Sequence, residues 1–224
     1  MKFATNKSKT IFKRGGLVYH LSKGNKKLKP NKDTMFIIWS LLAIITCPWA
    51  TALCKRFCYA RKSERCYPQV LPARRDNTAA AKSASFAQDM IDILHIMTAR
   101  TKKQHIVVRI HESGDFFNKQ YTMAWIEVAQ HFKDDPRFVF MAYTKSFTYF
   151  DGVKLPENFH LRASIWADTD AAQIALVLKN DWPIYTAVEH FTDNDSFTQC
   201  RCSDCATCNK CWCHDEKDIR CEIH

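Results

Sequence analysis

Between Cys66 and Cys200 the sequence has no cysteine, although the 224-residue chain carries eleven. Cysteines that merely fill a core scatter through strands and helices. A gap of more than 130 residues argues against that role and for ligation. Residues 1–34 are nearly devoid of acid, with a single Asp33 against ten lysines and arginines. They also lack the apolar run of a secretory signal, which leaves reducing cytoplasm as the expected compartment and disfavours disulfides. No apolar run is long enough to cross a bilayer, and no membrane partner is expected. The richest stretch, "MFIIWSLLAIITCPWA" at 35–50, has uninterrupted apolar parts too short for a span and is broken by Pro48. It reads as a buried central strand leading into a loop.

A hydrophobic share of 46% supports a real core and excludes global disorder. The formal net charge of +10 attracts polyanions, of which nucleic acid is the commonest in a cell. The division expected is a basic arm or hairpin over 1–34, with Gly15-Gly16 and Gly24-Asn25 as turns. An α/β body follows over 35–195, then a cysteine-rich metal-binding tail over 196–224.

The tail reads "CRCSDCATCNKCWCHDEKDIRCEIH". Cys202, Cys205, Cys208 and Cys211 recur with two residues between them, a spacing that wraps thiolates around one ion or cluster. Zinc and iron–sulfur both fit. Cys200, Cys213, Cys221, His214 and His224 are further donors nearby. The first group, Cys47, Cys54 and Cys58, has six and then three intervening residues. Three irregularly spaced thiolates suit a cluster with one iron left open for reaction. Cys66, as a fourth ligand, would close it.

Between the two groups strands and helices alternate. Continuous apolar runs give parallel strands at about 35–45, 105–110, 137–143, 159–165 and 183–188. Tyr121, Ala124, Trp125, Val128, Ala129 and Phe132 mark one helical face, capped by Asn118. A second helix is expected within 77–101, headed by Asp76 or Asn77, and a third over 168–178. The fold class is α/β, a partial (β/α) barrel of about five or six parallel strands.

Reactive groups of parallel α/β proteins collect at the carboxyl ends of strands. Strand two ends in Arg109, His111, Glu112, Ser113, Gly114 and Asp115. Strand three ends in Tyr143, Thr144 and Lys145, strand four in Arg162 and Ser164, and strand five in Glu189 and His190. His111, Glu112, Asp115, Tyr143 and Lys145 are the catalytic candidates. Ser113, Gly114, Asp115, Arg162 and Ser164 are the candidates for binding a cofactor.

"TCPWATALCKRFCYARK", "RIHESGDFFNKQY", "AYTKS" and "CATCNKCW" resemble, in order, the phage-encoded family named after gene product 88 of a mycobacteriophage. That resemblance implies a phage or prophage origin, hence a bacterial host's cytoplasm, and little chemistry. Cys-x6-Cys-x3-Cys followed by Tyr-Ala is more distantly similar to the radical S-adenosylmethionine signature, Cys-x3-Cys-x2-Cys with an aromatic before the last cysteine. Here the spacing departs and the aromatic follows. The likeness implies a four-iron cluster, 4Fe-4S, on Cys47, Cys54 and Cys58, with its open iron chelating the methionine moiety. "HESGD" would meet the ammonium, where a carboxylate makes an ion pair. Cleavage of the sulfonium would give a 5′-deoxyadenosyl radical, fed by an electron donor such as flavodoxin or ferredoxin. The tail would hold a second iron–sulfur cluster or zinc, and the substrate could be nucleic acid. Two other readings stay open: a non-catalytic zinc or iron–sulfur nucleic-acid-binding protein, and a magnesium nuclease using His111, Glu112 and Asp115.

Overall fold

The computed structural model describes residues 4–5, 10–190, 196–201, 204–212 and 218–223. Seven strands form one curled, half-barrel sheet in which every ladder is parallel. They are β4 (Thr34–Trp39), β5 (His105–Ile110), β6 (Phe138–Thr144), β7 (Phe159–Ile165), β8 (Ile184–Val188), β9 (Thr198–Gln199) and β10 (Ile219–Glu222). Their spatial order is β4-β5-β6-β7-β8-β10-β9. The α/β partial-barrel expectation therefore holds, and four of the five strands read from apolar runs sit where they were placed; the first, expected over 35–45, ends at Trp39, and 40–45 is loop and turn.

Both faces of the sheet are covered, which is why its strands read as continuous apolar runs. Alternate residues of β5 divide between two clusters. Ile106, Val108 and Ile110 join the main core with Phe86 and Trp125. Val107 joins Phe36, Met141, Ala206 and Trp212 on the opposite face. The main core is closed by α4 (Phe86–Thr98) and α5 (Lys119–His131). Asn118 caps α5 as expected, its side chain accepting the Tyr121 N–H at 2.8 Å. The third expected helix is α6 (Ala171–Lys179), capped by Asp170.

Two expectations need correction. The strand read as central, β4, is the sheet's edge. It stays buried because Ser22 forms an antiparallel bridge with Ile38 across that edge, with N–H···O distances of 2.8 and 3.0 Å. The single helix expected within 77–101 is two, α3 (Val70–Ala81) and α4. Asn77 is no cap. It is buried inside α3, accepts the His20 N–H at 2.7 Å, and donates to the carbonyls of His20 and Ser40 at 2.8 and 2.9 Å. A tertiary clamp has replaced a local one.

A separate three-stranded antiparallel sheet, β1 (Ala4–Thr5), β2 (Ile11–Arg14) and β3 (Leu17–His20), lies against α3. Gly15 and Gly16, with φ of +58° and +82°, make the tight turn between β2 and β3. Arg14 then reaches Asp89 and Asp92 of α4 at 2.8 and 2.7 Å, anchoring this sheet to the body. No helix among the described residues is long and apolar enough to cross a membrane.

Candidate metal centre and strand-tip site

Downstream of β4 the chain is pinned before its first cysteine. Leu41 N donates to the Ser113 carbonyl at 2.8 Å, Leu42 N to Thr78 Oγ1 at 3.1 Å and Ala43 N to Glu64 Oε1 at 2.8 Å. Thr51 then caps α1 (Ala52–Arg56) by accepting the Cys54 N–H at 3.2 Å. Leu53 N donates to Asp168 Oδ2 at 2.8 Å, which fixes α1 beside the tip of β7. Cys58 occupies the N-cap position of the next helix, α2 (Tyr59–Cys66), without a side-chain capping bond. The stretch read as a cysteine loop is thus a clamped turn followed by two short helices.

These clamps bring Cys47, Cys54 and Cys58 within electrostatic reach of one another, and Cys47 and Cys54 within reach of Asp115 and Lys145. Burial pushes the Cys47 thiol up to about 12, and the nearby Asp115 charge adds to the effect. Burial also raises Cys54, against the pull of Lys145. Cys66 is exposed at the far end of α2, about 12 Å along the helix from Cys58. It stands a helix length away from Cys58. Among the described residues no group of three or more His, Cys, Asp or Glu side chains is placed so that it could hold a metal ion.

Asp115 is the hub of the strand tips. Its Oδ1 accepts the Phe116 N–H at 2.8 Å and the Thr144 hydroxyl at 2.6 Å, while Oδ2 accepts the Lys145 N–H at 2.9 Å. Burial raises its pKa, and these three donors oppose the rise. Lys145 Nζ donates to the carbonyl and hydroxyl of Ser164 at 2.7 and 3.1 Å and lies 5.5 Å from the Trp166 ring. Burial holds the ammonium down to about 8, although Cys54 and Asp115 favour its charge. Gly114, at φ +86°, passes beneath the cysteine turn. A Cβ there would stand 2.5 Å from Thr46 Oγ1 and 2.7 Å from Leu41 Cβ.

The neighbouring candidates divide. His111 takes a left-handed φ of +64° and is buried against Phe116 and Tyr121, with Nε2 2.9 Å from the Tyr121 hydroxyl. Burial, then the Arg109 charge, holds it neutral at about 3. Glu112 accepts from Asn25 at 2.7 Å, and its carbonyl accepts the Tyr59 hydroxyl. His111, Glu112 and Asp115 therefore serve three different partners and do not face one point. Ser113 Oγ is buried without a partner among the described residues. Glu189 and His190 are exposed beyond β8.

Tyr143 and Arg162 belong to the opposite face. The Arg109 guanidinium sits 3.8 Å above the Tyr143 ring, and Tyr143 hydrogen-bonds Cys211. Arg162 donates to the carbonyls of Lys210 and Cys211 at 2.8 and 3.3 Å, tying the tail to the sheet. A cavity of about 430 Å³ opens here, with Tyr59, Arg109 and Tyr143 on one side and Cys200, Cys205 and Cys211 on the other. Cys205 and Cys208 bound the one-turn helix α7 (Cys205–Cys208). Cys200, Cys205, Cys208 and Cys211 are electrostatic neighbours, and burial pushes Cys205 up to about 11. Cys200 also stands beside Cys221, because Ile219↔Thr198 and Arg220↔Gln199 are the preceding pairs of the β9–β10 ladder. Cys202, Cys213, His214 and His224 lie outside the described residues.

Sequence reasoning missed Asp168 and Tyr59 as members of these sites. Asp168 follows β7 directly, and that position was its one visible signal.

Residues 19–214 match the protein family described as Gene product 88. The chain is 34% identical over 143 residues to the Gene 88 protein of Mycobacterium phage D29. It is 33% identical over 144 residues to the Gene 88 protein of Mycobacterium phage L5. Each match covers 60% of this chain and 57% of the relative, so it spans little more than half of either phage protein. No solved structure matches. With the family match running from the end of the amino-terminal hairpin into the cysteine-rich tail, the chain belongs to the gene product 88 family.

Proposed function

We propose that the chain is a cytoplasmic iron–sulfur enzyme of the radical S-adenosylmethionine type, working in a bacterial host. The observation that carries this reading is the gathering of Cys47, Cys54 and Cys58, with Asp115 and Lys145 beside the first two and Cys66 exposed at the far end of α2. Burial raises the Cys47 and Cys54 thiols, and a bound metal would offset that by stabilising the thiolate. A cubane bonds each thiolate to a separate iron, so it asks for a wider triangle than the roughly 3.8 Å between thiolates of one zinc ion. Three protein ligands leave a fourth iron open.

Asp115 has about four acceptor positions, and three are used. The remaining one suits an ammonium, as on a methionine moiety. Ser113 Oγ offers a second unused polar group on the same turn. Lys145 holds positive charge beside Cys54 and offsets part of the thiolate charge. When bound, the cluster would supply one electron to the sulfonium. An electron donor such as flavodoxin or ferredoxin would replenish it. The chain's own residues hold the thiolates, orient the ammonium and keep water from the tip of the sheet.

A second reading is a non-catalytic zinc or iron–sulfur nucleic-acid-binding protein. The presence of Cys200, Cys205, Cys208 and Cys211, electrostatic neighbours, in the lining of one cavity favours it. Zinc or a second iron–sulfur cluster in the tail is compatible with either reading. Anaerobic purification separates the two. The enzyme reading expects a brown protein that cleaves S-adenosylmethionine on reduction, and a colourless zinc protein without that cleavage overturns it.

A further inference from the structure

We propose that the exposed face of α1 and α2 binds single-stranded nucleic acid, laying its backbone across the rim of the cysteine site. Lys55, Arg56, Arg61, Lys62 and Arg65 are all exposed there. Among the described residues, no acidic side chain pairs with any of them. The one acid of residues 51–67, Glu64, turns inward, bonding Arg74 at 3.2 Å and the Ala43 N–H at 2.8 Å. Arg61 and Arg65 stand four apart on one short helix, an arrangement that repels. A polyanion would relieve that repulsion; among the described residues no acidic side chain pairs with Arg61 or Arg65.

A groove of about 480 Å³ runs between these cations and past Cys58 and Tyr59. Tyr59 and Tyr67 are each 56% exposed, which offers ring faces for bases to stack on. Cations tracking a backbone beside aromatic faces are the features of single-strand binding. A duplex would hide its bases, and an acidic protein would leave the rings unused. Tyr59 also lines the cavity on the inner face of the sheet. A strand in the groove can therefore turn a base past Tyr59 toward Arg109 and Tyr143. This surface borders the proposed cluster and so names a substrate class for the proposed reaction, yet binding itself needs no iron.

The test is fluorescence anisotropy of a labelled twelve-nucleotide single strand with the full chain, with and without iron. Five phosphate contacts predict a log–log salt slope of about −3.5, near a 100-fold loss between 50 and 200 mM salt. A variant with Lys55→Glu, Arg61→Glu, Lys62→Glu and Arg65→Glu should lose binding at least 100-fold, with melting and visible absorbance unchanged. Tyr67→Ala should weaken binding about tenfold. Lys29→Glu with Lys32→Glu, on the basic arm, should change it less than twofold. The proposal is overturned if binding is absent, if it follows the arm variant and not the groove variant, or if duplex or polyglutamate binds as well and Tyr67→Ala has no effect. A protein that binds the strand but holds no iron sinks the cluster reading alone.

Discussion

The carboxylate of Asp115 accepts the backbone N–H of Lys145 at 2.9 Å, joining the tip of β5 to the tip of β6. The same carboxylate holds the Thr144 hydroxyl at 2.6 Å. Replacing Asp115 by Ala strands three buried donors. The expected cost is about 2–4 kcal/mol of stability, read from urea unfolding. Asp115→Asn keeps the shape and two of the oxygen's bonds and should cost less, while losing affinity for S-adenosylmethionine measured by calorimetry. Equal costs for the two variants would mean that the bonds to Phe116 and Thr144 add little stability at this point.

Gly114→Ala tests how closely the cysteine turn sits on the strand tip. The new Cβ meets Thr46 Oγ1 at 2.5 Å and Leu41 Cβ at 2.7 Å, in a left-handed backbone. About 1–3 kcal/mol of destabilisation follows from strain and overpacking. Because Thr46 precedes Cys47, iron per chain should fall too. Iron content at the wild-type level would show that the turn yields without moving its thiol.

Acid should destabilise the chain partly through His111. Its folded pKa, about 3, lies below the ordinary value of 6.5 because burial disfavours the charge. Between those values the unfolded chain binds the extra proton. The stability that depends on neutral His111 is therefore present above pH 6.5 and is lost as pH falls toward 3, at up to about 1.4 kcal/mol per pH unit. His111→Asn tolerates the left-handed backbone and cannot titrate there. Chemical unfolding at pH 7, 6, 5 and 4 should give a shallower acid slope for the variant. An unchanged slope would place the acid sensitivity elsewhere.

Arg162 is the strap between sheet and tail, donating to Lys210 and Cys211 carbonyls. Arg162→Gln should raise amide exchange across residues 205–212 by tenfold or more, with β5 and β6 unaffected. Exchange in the tail equal to wild type would show that Trp212 and Ala206, buried against Met141 and Val107, suffice to hold it.

Five strands were legible because buried parallel strands carry unbroken β-branched and aromatic runs, as in "HIVVRI" and "RFVFMAYT". β9 and β10 were not, since two to four residues among cysteines carry no period. The break between α3 and α4 was also hidden: "AAAKSASF" contains neither glycine nor proline. At the site, strand-tip positions could be read but directions could not. The left-handed turn at His111 sends that ring into the core and leaves Asp115 to bridge β5 and β6. Spacing placed the tail thiols in one group, yet Cys200 joins them through the β9–β10 ladder, a pairing that no local pattern encodes.

The most direct measurement is iron content with electron paramagnetic resonance on anaerobically purified, reduced protein, before and after adding S-adenosylmethionine. About four irons should depend on the first cysteine group. They should vanish in Cys47→Ser, Cys54→Ser and Cys58→Ser but persist in Cys66→Ser, and the signal should shift when S-adenosylmethionine binds the open iron. Iron retained in the first three variants, or a spectrum indifferent to S-adenosylmethionine, would contradict the account.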